Sequence, residues 1–248
     1  MRFDLDQTIM SMINHAADEL EEKLQSSVLS YFGAIHPGYL RPFRDAVEDV
    51  QASSTFKDRI CVLIRTGGGS AEAAESMATI LRTNFSEVNF LVPDAAMSAG
   101  TILCMSGDRI YMDYSSALGP IDPQVISSDG SGYVAAMGYL DKVEALTQKK
   151  SLSPADVIIL KGIDLGKLAL FEQAKNFSID LLKEWLVVYK FKNWTHHRTN
   201  NAGQPVTFAQ KKERATEIAE ALSDHKQWRS HGRALDIEKL RRFRILHT

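Results

Sequence analysis

The spacing of apolar residues changes along the chain, and each change marks an element. Over residues 4–31 the apolar positions Ile9, Met12, Ile13, Ala16, Leu20 and Leu24 follow a 3.6-residue period, which predicts an amphipathic helix. A loop around Gly33, Pro37 and Gly38 follows, then a second helix over 40–53. At 60–64 the run ICVLI is short, apolar and closed by glycines, as suits a strand of a buried parallel sheet. Residues 71–85 return to helical spacing through Ala74, Met77, Ala78 and Leu81, and VNFLV at 88–92 reads as another buried strand. Small and apolar residues over 98–105 predict a buried helix, and RIYM at 109–112 a third strand.

The remaining chain is mostly helical in pattern. Residues 133–148 carry Val134, Met137, Leu140, Val143 and Leu146 on one face. Ser153-Pro154 is a helix-start signal, and 157–191 is helical with interruptions at Gly162 and Gly166. Its stripe through Leu168, Phe171, Phe177, Leu181 and Trp185 reads as core or subunit contact. The polar loop 193–204 precedes a helix over 207–223 and a basic tail containing Arg229, Arg233, Lys239, Arg241, Arg242 and Arg244. The segment 126–132, ISSDGSG, reads as a flexible loop. This organisation gives one α/β domain over 1–206 with its N-terminal helix, and a small helical appendage over 207–248.

Composition narrows the class. At 248 residues, 44% hydrophobic and 24% charged, the chain has enough apolar surface for a full core. A net charge of -2 gives no general attraction to nucleic acid, and the basic tail reads as a solvated face because no aromatic-interleaved recognition motif accompanies it. Cys61 and Cys104 both fall in predicted buried elements, as expected of reduced thiols in a cytoplasmic protein. No apolar stretch reaches membrane-span length, so no membrane partner is expected. His196-His197 lacks a ligand set around it, so neither a metal nor any other cofactor is expected.

Two stretches carry chemistry. Thr66-Gly67-Gly68-Gly69-Ser70 closes a strand and opens a helix, so its backbone N–H groups face whatever is negative there. The Walker pattern and the GxGxxG fingerprint are both absent. Met97-Ser98-Ala99-Gly100-Thr101 puts a serine at a helix mouth among small residues, with an exposed hydroxyl and a free N–H beside it. A nucleophile and two backbone donors are the parts of acyl transfer. The bland alternatives are a plain glycine turn and a serine N-cap.

The order TGGGS, AMSAGT, GDRIYM, LGPIDPQ over 58–124 resembles the Clp-protease/signal-peptide-peptidase superfamily, and within it the serine dehydrogenase proteinase family. The proline that usually precedes the paired glycines is Gly67 here. The resemblance implies an α/β fold of repeated ββα units around a sheet. It also implies a serine peptidase acting on peptide or protein substrates through Ser98, with the N–H groups of Gly68 and Ala99 holding the oxyanion. An extended substrate would run along Gly69 and Ser70. It implies a homo-oligomer as well, for which the N-terminal helix offers a contact face. The Clp-type histidine would fall within 115–123, but no histidine occurs between Pro37 and Thr195. The signal-peptide-peptidase-like branch uses a lysine instead, and Lys142 stands where that resemblance would put it, with Lys149 and Lys150 as weaker candidates. Asp122, in a segment that passes the nucleophile in related folds, is either a site residue or a turn cap. His231, in a Trp228-to-Arg233 segment that resembles the family's C-terminal part, is a candidate distant base or substrate-binding group. No nucleotide motif is present, so any ATP use would come from a partner. Two further readings stand beside the peptidase: a crotonase-like acyl-CoA enzyme, and a peptide-binding module whose site is idle.

Overall fold

The structure is a computed structural model, and it describes residues 2–126, 133–197 and 201–242. Its centre is a parallel sheet. β1 (Ser27–Phe32), β2 (Arg59–Arg65), β3 (Glu87–Val92) and β5 (Arg109–Met112) lie in the order β1-β2-β3-β5. Successive residues Ile60, Cys61 and Val62 are all buried, as are Val88, Asn89 and Phe90, so both faces of the central strands are covered. That is why these segments are continuously apolar rather than alternating.

The crossovers are helical. α2 (Leu40–Ser53) joins β1 to β2, and α3 (Ala71–Asn84) joins β2 to β3. The short β4 (Ala95–Ala96) and α4 (Ala99–Met105) join β3 to β5. Every residue of α4 is buried. At position 100 only glycine fits, because a Cβ there would lie 2.3 Å from Thr66 Cγ2. β6 (Ala117–Leu118) then pairs in parallel with β4.

The long N-terminal helix divides. α1 (Arg2–Leu24) stops at Gln25, whose φ of 51° is left-handed, and the expected helix over 4–31 gives way to β1. The buried Ser27 hydroxyl is bound within the body, lying 2.7 Å from Ser54 Oγ and 3.0 Å from the accepting Phe56 O. β1 holds Val28 and Tyr31, types that favour strands, and pairs with β2 from Ser27 to Phe32. Apolar residues continue through both elements, so their spacing does not reveal the boundary.

Beyond Ile121, β7 (Gln124–Ile126) and β8 (Tyr133–Ala135) form an antiparallel pair. The residues between them, most of the expected loop 126–132, lie outside the described residues. α5 (Ala136–Thr147), α6 (Pro154–Lys161) and α7 (Leu165–Trp185) follow, with Ser153 and Asp164 as N-caps of the last two. The chain breaks at Gly162 as expected, while Gly166 sits inside the first turn of α7. A π-helical turn over Leu186–Lys190 follows. α8 (Phe208–Ser223), α9 (His225–Trp228) and α10 (Ile237–Arg242) complete the described chain. Ala215, Ile218, Leu222, Trp228, Leu235 and Leu240 share one hydrophobic cluster with the sheet and α4. Among the described residues, no helix is long and apolar enough to cross a membrane.

Candidate active site

The site lies where β2 and β4 end. Ser98 stands immediately before α4 with φ 52° and ψ -118°. A non-glycine residue at positive φ costs about 1–3 kcal/mol and persists only where its surroundings impose it. Here they do. Met97 N–H donates to Thr66 O at 3.0 Å, Gly100 N–H to Met97 O at 2.8 Å, and Ile102 N–H to Ser98 O at 3.1 Å. The Ser98 side chain does not cap the helix and is half-buried.

The glycine turn packs directly on this serine. Gly68 has φ 105°, and a Cβ there would lie 2.8 Å from Ser98 Cβ and 2.9 Å from Met97 O. Gly69 has φ 150°, and its Cβ would lie 2.0 Å from Ile35 O. Backbone bonds from Ile35 N–H to Gly68 O (2.9 Å) and from Ser70 N–H to Ile35 O (2.9 Å) hold the turn against the chain after β1. Gly68's own N–H donates to Thr66 Oγ1 at 3.0 Å. The amides of Gly69 and Ala99 have no hydrogen-bond acceptor among the described residues. Ser70 N-caps α3, its hydroxyl accepting from Ala73 N–H and donating to Glu72 Oε2.

The expected candidates are distributed unevenly. Lys142 is exposed on α5 with no partner among the described residues. Lys149 is bound to Asp156, with Nζ 2.9 Å from each carboxylate oxygen, and Lys150 is exposed. Asp122 and His231, separated by 109 positions, meet: His231 Nδ1 lies 3.0 Å from Asp122 Oδ1. Asp122 is 2% exposed and the His231 side chain 15%. Backbone pairing explains the meeting. Leu118 and Leu235 form an antiparallel bridge with bonds of 3.1 and 2.8 Å. Counting four residues outward on each side of that bridge puts Asp122 opposite His231. Ile121 N–H also donates to Leu222 O at 3.0 Å. The same segment touches the nucleophile turn, because a Cβ on Gly119 would lie 2.7 Å from Met97 Cε and 3.2 Å from Ser98 N.

An ionised carboxylate only accepts, so with Asp122 ionised Nδ1 carries a proton toward it, and in the neutral imidazole that leaves the lone pair on Nε2. Two residues here were not singled out from sequence: Thr66, which is 5% exposed, and Thr101, which is fully buried. Their signal is a short β-branched hydroxyl adjoining each glycine-rich turn. His196 is exposed, and the His197 ring packs on Trp194 at 5.7 Å between centroids. Among the described residues no group of three or more His, Cys, Asp or Glu side chains is arranged for a metal ion. In the basic tail, Lys239 pairs with Asp236 and Arg241 with Glu238, and Arg244 lies outside the described residues.

Comparison with known proteins agrees with this architecture. Two uncharacterized proteins of Methanocaldococcus jannaschii are similar in sequence. MJ0137 is 32% identical over 172 residues, covering 65% of this chain and 54% of its own length. MJ1495 is 30% identical over 168 residues, covering 64% and 51%. The chain thus spans about half the length of the curated relatives it matches. Two solved structures of the 1510-N membrane-bound stomatin-specific protease share the fold. A lysine-to-alanine mutant with a substrate peptide aligns with TM-score 0.52 at 16% identity, over 89% of this chain and 72% of that one. A serine-to-alanine mutant aligns with TM-score 0.53 at 13% identity, over 89% and 76%. The family model for ClpP-like SDH-type serine proteinases matches residues 47–213, and the chain belongs to that family.

Proposed function

We propose that this chain is a serine endopeptidase that cleaves extended peptides through an acyl-enzyme, with Ser98 as nucleophile and His231, oriented by Asp122, as its base. One observation carries the choice of base: the 3.0 Å contact between His231 Nδ1 and the buried Asp122, on the segment whose Gly119 packs against Ser98. Lys142, the base implied by the family resemblance, is exposed and unpartnered among the described residues, so the role is assigned to His231 instead.

Ser98 Oγ attacks the peptide carbonyl while His231 Nε2 takes its proton. The amides of Gly69 and Ala99 hold the oxyanion, because the amide of Gly68 is already committed to Thr66. Each such donor lowers the barrier by roughly 3 kcal/mol. His231 returns the proton to the leaving amine, and water then hydrolyses the acyl-enzyme. No step uses a nucleotide. The peptide bound by the similarly folded stomatin-specific protease supports an extended substrate here, without indicating which one. A homo-oligomer and a reducing, cytoplasmic setting belong to the same reading. Exposed apolar residues on α1 support the first, and the buried free thiols Cys61 and Cys104 the second.

The test is fluorophosphonate labelling with mass mapping. Wild type is expected to be labelled at Ser98, and Ser98→Ala to lose both label and peptide hydrolysis. His231→Ala and Asp122→Asn are expected to slow both by about 10²–10⁴-fold, the usual worth of a positioned base, while Lys142→Ala leaves them unchanged. Loss in Lys142→Ala with retention in His231→Ala would return the base to lysine. The Ser98 hydroxyl caps nothing as it stands. An unlabelled wild type that still binds peptides would therefore favour the idle binding module.

A further inference from the structure

We infer that Thr101 is a positioning residue whose hydroxyl locks the Ser98 turn to the segment carrying Asp122, so that nucleophile and base stand at a fixed separation. The inference rests on the Ser98 reading above. Thr101 lies in the first turn of α4 and is 0% exposed. Its Oγ1 accepts from Gly119 N–H at 2.8 Å and lies 2.8 Å from Ala96 O and 2.9 Å from Gly119 O. A hydroxyl has one proton to give. Accepting from Gly119 and donating to Ala96, it bridges β4 and the residue after β6, beside the backbone pairing of those strands and the Ser116 Oγ bond to Val92 O.

Both ends of the bridge matter. Ala96 precedes Ser98 by two residues, and its carbonyl is where the chain turns into the strained serine. Gly119 touches Ser98 N and Met97 on one side and leads to Asp122 on the other. Backbone bonds alone tie Ser98 to Thr66 and α4. Thr101 adds the only side-chain link from this turn to the base-bearing segment among the described residues. Without the hydroxyl, Ala96 O and Gly119 N–H lose their buried partner. The Ser98 φ can then relax toward a commoner value, and the separation of Ser98 from His231 is held only by the two-residue β4–β6 pairing and the Leu118–Leu235 bridge. Displacing a reacting group by about 1 Å costs on the order of 10²-fold in rate.

The experiment compares Thr101→Val, which keeps the shape and loses the hydroxyl, with Thr101→Ser, which keeps the hydroxyl. Ile102→Val serves as a control that thins the same helix without touching the bridge. Peptide hydrolysis and the Ser98 labelling rate are measured per folded molecule, with melting temperature alongside. Thr101→Val is expected to lose about 10–100-fold in kcat and in labelling rate with KM unchanged, Thr101→Ser to recover most of it, and Ile102→Val to lose stability alone. Should Thr101→Val not fold, Thr101→Cys, of similar volume and weak donor strength, takes its place with the same expected loss. A Thr101→Val kcat within a few-fold of wild type, with Ser98 labelled normally, overturns the positioning role and leaves the peptidase reading standing. A wild type unlabelled at Ser98 overturns both.

Discussion

Lys190 shows how strongly a single buried side chain is coupled to pH. It ends the π-helical turn after α7, is 9% exposed, and its Nζ has no hydrogen-bond partner among the described residues. Burial pushes its pKa from the ordinary 10.5 down to about 7, with Cys104 and Asp108 opposing the fall and the neighbouring Arg82 adding to it. Between pH 7 and 10.5 the unfolded chain holds a proton that the folded protein has released. Stability therefore rises with pH through that window, by about 1.4 kcal/mol per pH unit. Below pH 7 both states hold the proton, and the folded state bears the full cost of a buried ammonium. Lys190→Met is accordingly expected to be more stable than wild type at pH 6–7, with the advantage shrinking steadily toward pH 10. Paired urea melts across that range measure it, and a gap that does not change with pH would mean that Lys190 is not buried neutral. Nothing in the sequence marks this lysine, because it sits among apolar residues that read as an ordinary helical stripe.

At the scale of elements, legibility followed the range of the interactions. β2, α3, β3, α4 and β5 were readable because each carries a local signal of its own: a short continuous apolar run for the strands, helical spacing or small residues for the helices. Ser98 and the glycine turn were readable for the same reason, lying one crossover apart. The boundary between α1 and β1 was not, since the apolar residues run through it. Asp122 and His231 could be named but not joined, because only the pairing of Leu118 with Leu235, elements far apart in sequence, brings them together. A second long-range junction governs stability. Arg82, in the last turn of α3, donates to Ser106 O from Nε (3.1 Å) and from Nη2, and to Asp108 Oδ2 at 2.8 Å. Its guanidinium lies 3.9 Å from the centre of the Tyr189 ring. Asp108 also accepts from Val88 N–H at 2.9 Å and contacts Lys192, so one carboxylate ties α3, β3, the end of α4 and the π turn. Burial alone would raise the Asp108 pKa, but the bonds from Lys192, Val88 and Arg82 outweigh it and hold it below the usual carboxylate value. The Arg82 and Asp108 side chains are 10% and 7% exposed. Breaking such a pair from one side costs about 3–5 kcal/mol. Arg82→Ala is therefore expected to lose stability on that scale in chemical denaturation. A loss below 1 kcal/mol would mean that Lys192 alone suffices for Asp108.

For the whole molecule, the unresolved physical tension is α1. Residues 5–16 are all exposed, among them Leu5 at 62%, Ile9 at 46%, Met12 at 69% and Ile13 at 56%. Their spacing is that of a buried helical face, yet the body offers them nothing. The base of the helix is fixed: Glu21 Oε1 accepts from Val28 N–H at 2.8 Å, and Glu21 O from Ser26 N–H. β1 beside it is the edge of the sheet, and a cavity of about 400 Å³ lined by Leu29, Tyr31, Phe32, Tyr39, Pro42 and Phe43 opens along it. Phe32 and Tyr39 are more than half exposed. Isolated exposed apolar residues need no explanation, but an apolar helix face and an apolar cleft on one chain fit the proposed homo-oligomer, in which a second copy covers both. If so, charge on the face disrupts assembly without unfolding the body, because none of the described side chains of α1 belongs to the buried core. Ile9→Glu with Ile13→Glu is expected to lower the mass seen by light scattering after size exclusion, with the melting of the body retained at high dilution. A wild type that is monomeric at all concentrations would show instead that α1 serves no self-contact, and the double variant would then change nothing but solubility.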